Sequence, residues 1–538
     1  MKYRERIEKL ITALADGLYE RTEIVALTLL TVLSGQSVFL FGKPGTAKSM
    51  IARRISRAFK NSAYFENLMN RFSTPEDVFG PVDVKELKEG RYKRKTARFL
   101  PTAAVAFLDE IWKSSTAILN TLLTIVNERI FRNGDDIEEV PLKGIIAASN
   151  ETVPENQGLD ALDDRLIMRL NVGSLQQKES FENLLRAVPV KAKIDIDESL
   201  TFDDNEWAEI IELSSVVDIS REAFNIIHSI RAKIDGYNRD HSDKPIYISD
   251  RRWQKIAQVL KTSAFLCDRD CVLPVDLLVL KNCIWTKADN RNEMAKIVVD
   301  SVREFCPYNS EEYEKWEDEL QTLSEEVEET FFYDSDIYET DYEIGSEKCF
   351  RVLLKIPYYE RKRDSWGGYS SDMEEKRKDV NAYIPLKHLK QNGEFKALGE
   401  DGDEIYSITC DFKGTTQVTI RAEYQYQRYS YGSSTTKYAE FHWDAKPTYK
   451  KGDCKKVTPR TKSMYKKNVQ DHIAAFDVVE ANIKQYYADS NEKNRNPFVP
   501  EKDRLIVTAA IQEYLKQMAV GKLGAEQLLK KLDNHVDA

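Results

Sequence analysis

In the first 175 residues of the chain, short apolar runs alternate with apolar positions at helical spacing. Ile7, Leu10, Ile11 and Leu14 recur with the period of a helix. Ser37–Phe41, Val105–Leu108 and Gly144–Ala148 are short apolar runs, and each ends abruptly at glycine or polar residues: Gly42, Asp109-Glu110 and Ser149-Asn150. Continuous apolar strands separated by helices predict a parallel α/β sheet buried on both faces. In such sheets ligands collect beyond the carboxyl ends of the strands, where these three polar termini lie. From about 176 to 300 the period is helical, with Trp253, Ile256, Ala257 and Leu260 on one stripe and Val275, Leu278, Val279 and Cys283 on another. Residues 310–345 are strongly acidic, yet Trp316, Leu320, Leu323 and Val327 keep a narrow helical seam. From about 346 to 450 the period becomes two. Phe350, Val352, Leu354 and Ile356 alternate with polar residues, as do Val418, Ile420, Ala422, Tyr424 and Tyr426, which predicts half-buried antiparallel strands. Trp366–Ser371 and Gly432–Thr436 read as loops. Helical spacing returns over 465–535, broken at Asn496-Pro-Phe-Val-Pro500.

The expected division is therefore an α/β domain (1–175), an all-α domain (176–300), an acidic helical connector (301–345), a β-rich antiparallel module (346–460) and a C-terminal helical segment (461–538). A length of 538 residues accommodates it, since domains run to about 100–200 residues each.

Composition narrows the function. The net charge of -10 argues against a protein dedicated to nucleic acid, because phosphate-tracking proteins carry a basic excess. Seven cysteines at irregular spacing are not a disulfide framework and suit a reducing cytoplasm. Cys267, Cys271 and Cys283 read as apolar thiols rather than a metal site. The N-terminus has no signal-peptide apolar region, and the apolar stretch Ile24–Leu33 is far shorter than the ~20 residues of a membrane span.

The chemistry begins at Gly42-Lys43-Pro44-Gly45-Thr46-Ala47-Lys48-Ser49, between an apolar strand and the helix opening at Met50. Glycines let the loop curl so that its N–H groups form an anion nest, and the following helix adds its dipole. Lys48 is placed to reach the outer phosphates of ATP, and the Ser49 hydroxyl to ligate Mg²⁺. Ala47 stands where glycine is usual and disfavours positive φ. Asp109 and Glu110 end the strand from Val105, which suits Asp109 to holding Mg²⁺ through water and Glu110 to acting as general base. Asn150 ends another strand and is suited to orienting the attacking water. Arg165, in Asp160-Ala-Leu-Asp-Asp-Arg165, is the candidate to reach a neighbouring subunit's γ-phosphate. In Ile248-Ser-Asp-Arg-Arg-Trp253, Arg251 is placed to reach the nucleotide and couple lid angle to phosphate occupancy, with Arg252 the competing choice.

Five motifs in this order resemble the AAA+ ATPases of the MoxR family, and within it the RavA-like regulatory ATPases. Supporting stretches are Gly17-Leu-Tyr-Glu-Arg21, Phe72-Ser-Thr-Pro-Glu-Asp-Val-Phe-Gly-Pro81, Phe107–Lys113, Ile118–Leu123 and Phe131–Gly134. The likeness covers about residues 1–300. It implies a homohexameric ring with ATP at each subunit interface and an AAA+ core followed by a helical lid. It also implies adenine contact by Gly17, Leu18 and Tyr19, and a chaperone-like role with a partner bearing a von Willebrand factor A domain. Glu86–Lys95 matches the hairpin inserted in the second helix of this clade. Its basic tip reads either as a solvated turn or as a pore-facing contact loop. Lys43 replaces the first proline of the family's usual pair.

Tyrosines in 346–450 and basic residues from Lys450 to Lys467 leave two readings of the β-rich module, protein docking or nucleic acid; docking is preferred because tyrosine and arginine are favoured at interfaces. For the whole chain the leading expectation is an ATPase that remodels a protein. The alternatives are a nucleic-acid motor and a nucleotide-gated scaffold without turnover.

Overall fold

The structure is a computed structural model that describes residues 2–154, 159–187, 194–363, 369–427 and 434–536. The chain folds into two compact units. One comprises Met1–Ser310 with Val479–Ala519, and the other Glu311–Val478 with Val520–Ala538.

The first unit opens with α1 (Tyr3–Ala15), α2 (Thr22–Leu33), β1 (Ser37–Phe41), α3 (Lys48–Ser56) and β2 (Tyr64–Leu68). It continues through α4 (Pro75–Phe79), α5 (Val84–Lys88), β3 (Val105–Asp109), α6 (Thr116–Glu128) and the hairpin β4 (Ile130–Asn133) to β5 (Asp136–Glu139). β6 (Gly144–Ser149), α7 (Asp160–Asp163) and β7 (Leu166–Asn171) complete the core. The five-stranded sheet runs β2-β3-β6-β1-β7, and its pairings are parallel. The pleat sorts each strand between two cores. Val38 and Leu40 join one with Val105, Phe107, Ile146 and Ala148, whereas Phe39 joins the other with Ala106, Leu108, Ile145 and Ala147. This is why the strands read as unbroken apolar runs. The registers Leu40↔Ala148 and Asp109↔Ala148 bring the ends of β1, β3 and β6 side by side. Helix α2 is buried continuously from Val25 to Leu33. Its apolar length therefore belongs to the core, and among the described residues no helix is long and apolar enough to cross a membrane.

A helical region follows, with α8 (Lys178–Arg186), α9 (Asp204–Ser215), α10 (Arg221–Asp240), α11 (Asp250–Leu266) and α12 (Arg291–Glu304), and a short pair β8 (Asp218–Ile219) and β9 (Cys271–Val272). Cys267 and Cys283 are buried thiols of this region and Cys271 is half-buried.

Two local features differ from the sequence reading. The insert 86–95 is not a β-hairpin: residues 84–88 form the short helix α5, and a single bridge, Val82↔Arg94, closes the turn. Every basic residue at its tip is also paired with a carboxylate: Arg91 with Glu86 and Glu89, Lys93 with Asp136, Arg94 with Glu76, Lys95 with Asp83. The second difference is at the C-terminus. The break at Asn496–Pro500 is a buried anchor of the first unit, not a free interruption. Asn496 donates to Ser263 Oγ (2.9 Å) and to Asp276 Oδ1 (2.7 Å), and Phe498 and Val499 enter the core. Residues 461–538 are thus shared between the two units.

In the second unit, α13 (Glu311–Phe331) buries Tyr313, Trp316, Val327 and Phe331. Trp316 stacks on His472 at 4.8 Å and donates to its carbonyl at 2.9 Å. The charged seam read over 310–327 is therefore one side of a helical bundle. Seven antiparallel strands follow: β10 (Tyr342–Ile344), β11 (Glu347–Arg363), β12 (Tyr369–Pro385), β13 (Asn392–Leu398), β14 (Glu404–Lys413), β15 (Gln417–Tyr426) and β16 (Thr435–Asp444), paired in chain order. Val352, Leu354, Ile408, Cys410, Phe412, Val418, Ile420 and Ala422 form its core, as the period of two predicts. Of the loops expected at Trp366–Ser371 and Gly432–Thr436, residues 366–368 and 432–433 lie outside the described residues, whereas 369–371 already belong to β12 and 435–436 to β16.

Candidate nucleotide site and a second, cationic cleft

A cleft of about 900 Å³ opens at the carboxyl edge of the sheet. It is lined by the loop from Gly42 to Ala47, by Met50 and Asn150, and by Leu18, Tyr19, Val172, Phe181 and Leu184. Gly17 completes the lead-in segment.

The loop's residues are explained by its backbone. Gly45 has φ +79°, and a Cβ on Gly42 would lie 2.2 Å from the Val172 carbonyl oxygen. Ala47 adopts φ 71° immediately before α3, so the conformation that glycine usually supplies is held here by an L-residue. Left-handed backbone at a non-glycine residue costs about 1–2 kcal/mol. Lys48 is buried, and its ammonium donates to the Gly42 (2.7 Å) and Lys43 (3.0 Å) carbonyls. Burial pulls its pKa below the ordinary lysine value, while Asp109 and Glu110 act in the opposite direction. Burial lifts the Asp109 carboxyl above its usual range, and a cation beside it would reverse this. Asp109 and the Ser49 hydroxyl are hard oxygen donors of the kind Mg²⁺ takes. The residues present thus fit the ion that the fold implies. Glu110 sits at φ 52°, with Oε2 buried 3.2 Å from Lys113 Nζ. Asn150 is exposed into the cleft, one residue beyond β6.

Arg21 ties this cleft together. Its guanidinium donates to the carbonyls of Glu20, Thr46 and Gly173, joining the phosphate loop to the strand that leads to the lid. The adjacent Glu20 carboxylate accepts from the Gln176 and Gln177 amides (both 2.9 Å) at the start of α8. These hydrogen bonds hold its pKa below the ordinary glutamate value.

Arg251 and Arg165 lie elsewhere. Both line a separate cleft of about 420 Å³ that shares no residue with the first. The cause is Arg252, which is 2% exposed and donates to the carbonyls of Asp163, Asp164, Leu166, Ile167 and Cys283 at 3.0–3.2 Å. Ser249 adds hydrogen bonds to Asp164 at 2.8 and 3.0 Å. These bonds fix the start of α11 against α7 and β7, so Arg252 is structural and Arg251 faces Arg165. The chain's own nucleotide cleft does not include Arg251 among its lining residues.

Phe181 and Leu184 in the first cleft, and Arg129 and Lys255 in the second, were not singled out from sequence. Helical spacing carried part of the signal: Phe181 and Leu184 are three apart, and Lys255 is one turn beyond Arg251.

A family model described as the MoxR domain in the MoxR-vWA-beta-propeller ternary systems matches residues 5–213, and an AAA lid domain model matches residues 222–298. The chain belongs to the MoxR family of AAA+ ATPases. ATPase activity and binding of ATP with Mg²⁺ are general to that family; the matches do not single out its RavA-like branch. The uncharacterized protein MJ0079 of Methanocaldococcus jannaschii is 36% identical over 302 residues, covering 56% of this chain and 76% of that protein. The uncharacterized protein MJ0812 of the same organism is 36% identical over 296 residues, covering 55% and 74%. The structural protein ORF618 of Acidianus two-tailed virus is 24% identical over 330 residues, covering 56% and 52%. All three matches span little more than half of this chain.

Proposed function

We propose that the chain hydrolyses ATP at the interfaces of a ring of its own copies, six by family resemblance, in the cytoplasm. Turnover drives remodelling of a protein partner, either one with a von Willebrand factor A domain or its client. The family description, which couples MoxR domains to vWA proteins, supports that partner. The carrying observation is the separation of the two clefts: Arg165 and Arg251 share a site from which the chain's own phosphate loop is absent.

ATP lies with its base against Tyr19, Phe181 and Leu184 and its phosphates on the loop from Gly42 to Ala47. Lys48 leaves the loop carbonyls for the outer phosphates. Mg²⁺, held by Ser49 and through water by Asp109, neutralises phosphate charge when bound. Asn150 orients the water, and Glu110 accepts its proton as the oxygen adds to the γ-phosphorus and the bond to ADP breaks. The neighbour's Arg165 and Arg251 stabilise the charge that develops.

The paired tip of the 86–95 turn removes the free basic loop that a nucleic-acid motor would use. Phosphate release measured against protein concentration tests the proposal, with a vWA protein, DNA or RNA added in turn. The rate per subunit rises with concentration and the vWA protein changes it. A rate per subunit independent of concentration overturns interfacial catalysis; stimulation by DNA or RNA with a steep salt dependence favours the motor instead.

A further inference from the structure

We propose that Arg129 and Lys255 complete, with Arg165 and Arg251, a four-cation receptor for the terminal phosphates of the nucleotide bound by a neighbouring copy. This rests on the interfacial reading and extends it to two further residues.

The four cations come from three places in the fold. Arg129 ends α6, Arg165 follows α7, and Arg251 and Lys255 stand one turn apart on α11. The one carboxylate lining the cleft, Asp164, already accepts the Ser249 hydroxyl. Among the described residues none of the four cations is in an ion pair, whereas all four cations from Arg91 to Lys95 are. Arg129 caps α6 at φ 57°; its Nη2 donates to the Gly35 carbonyl (2.6 Å), and its Nη1 is buried without a partner. Arg165 Nε is likewise buried and unpartnered.

The electrostatics agree with the geometry. Burial lowers the Arg129 pKa to about 10, which leaves it a cation at neutral pH. Arg165 is lowered by burial and then by Arg251, and Lys255 by partial desolvation and then by Arg129 and Arg251. Like charges gathered in one cleft disfavour one another, and a multiply charged anion offsets their mutual repulsion. At about 420 Å³ the cleft is less than half the size of the nucleotide cleft, as suits phosphates presented from outside rather than a whole nucleotide.

The test is complementation. Lys255→Ala removes the receptor's ammonium and keeps the phosphate loop; Glu110→Gln removes the base and keeps the receptor. Alone, each variant loses about tenfold or more in kcat. Mixed in equal amounts, random assembly gives intact interfaces at about one quarter of positions, and the rate recovers toward that fraction of wild type. Lys255→Arg retains activity. Arg129→Lys, which keeps a cation with fewer donors, falls in kcat with little change in KM and complements in the same way. Arg165→Ala mixed with Glu110→Gln is the control. If it recovers and the Lys255→Ala mixture does not, the four-cation receptor is refuted and the interfacial ATPase stands. If neither recovers, both fail. Saturable binding of inorganic phosphate by isolated subunits, abolished by Lys255→Ala together with unrestored mixtures, would assign the cleft to a free anion instead.

Discussion

Arg251 and Arg252 are adjacent and chemically identical, yet the structure gives them opposite tasks, and substituting each with alanine separates them. Arg252 donates to five main-chain carbonyls from a site that is 2% exposed. A hydrogen bond from a charged donor contributes about 1.5–3 kcal/mol. Part of that total is offset by the desolvation of a buried guanidinium, and relaxation recovers more. A net loss of about 3–5 kcal/mol is expected for Arg252→Ala, the range for removing one partner of a buried charged network. Against a stability of about 5–15 kcal/mol this is large. With a urea dependence of about 3 kcal/mol per molar, the first unfolding transition moves down by roughly 1 M or more. Arg251 is exposed and no hydrogen bond of it was found among the described residues. Arg251→Ala therefore changes stability by less than about 0.5 kcal/mol while ATP turnover falls. Urea unfolding followed by circular dichroism, with phosphate release on the same samples, reads both effects. Equal stability of the two variants would refute the assignment, as would wild-type turnover in Arg251→Ala.

Three further outcomes follow from the nucleotide cleft and the C-terminal anchor. Gly42→Ala, whose methyl would meet the Val172 carbonyl at 2.2 Å, abolishes ATP binding, whereas Ala47→Gly binds as tightly as wild type or tighter; a fluorescent ATP analogue measures both. Because the Glu20 pKa is depressed in the folded state, its clasp on α8 contributes fully above the ordinary glutamate value and is lost only as pH falls through the depressed one. Hydrogen exchange at the Gln176 and Gln177 amides should keep its protection at the ordinary glutamate pKa and lose it below. Asn496→Ala leaves Asp276 and Ser263 short of a partner and lowers stability by about 1–3 kcal/mol, read as earlier proteolysis within Val479–Ala519.

Legibility from sequence followed the range of the interactions. The strand–loop–helix around Gly42–Ser49 and the strand ends at Asp109 and Asn150 are local patterns, and the structure brings them to one sheet edge. The alternation over Val418–Ala422 predicted a buried face equally well, because a pleat needs only neighbouring residues. The direction of Arg251 was not legible because it is set by Arg252 bonding to carbonyls more than 80 residues away in sequence, from Asp163 to Ile167. The role of Asn496 depends on Ser263 and Asp276, at least 220 positions distant. Arg129 was not singled out, because only the fold brings it into one cleft with Arg165 and Lys255. The 86–95 tip looked basic because the partners Glu76, Asp83 and Asp136 lie outside the motif.

The most direct test of the central claim, that this chain turns over ATP with Glu110 as base, is steady-state phosphate release at saturating Mg-ATP for wild type and Glu110→Gln. Both proteins should be held at a concentration where they assemble and where nucleotide binding is verified in parallel. A general base contributes about 10²–10⁴-fold, so an ATPase of this kind gives measurable wild-type turnover and a Glu110→Gln rate lower by that factor with binding retained. Equal rates for the two proteins, both bound to ATP, would contradict catalysis and leave a nucleotide-gated scaffold.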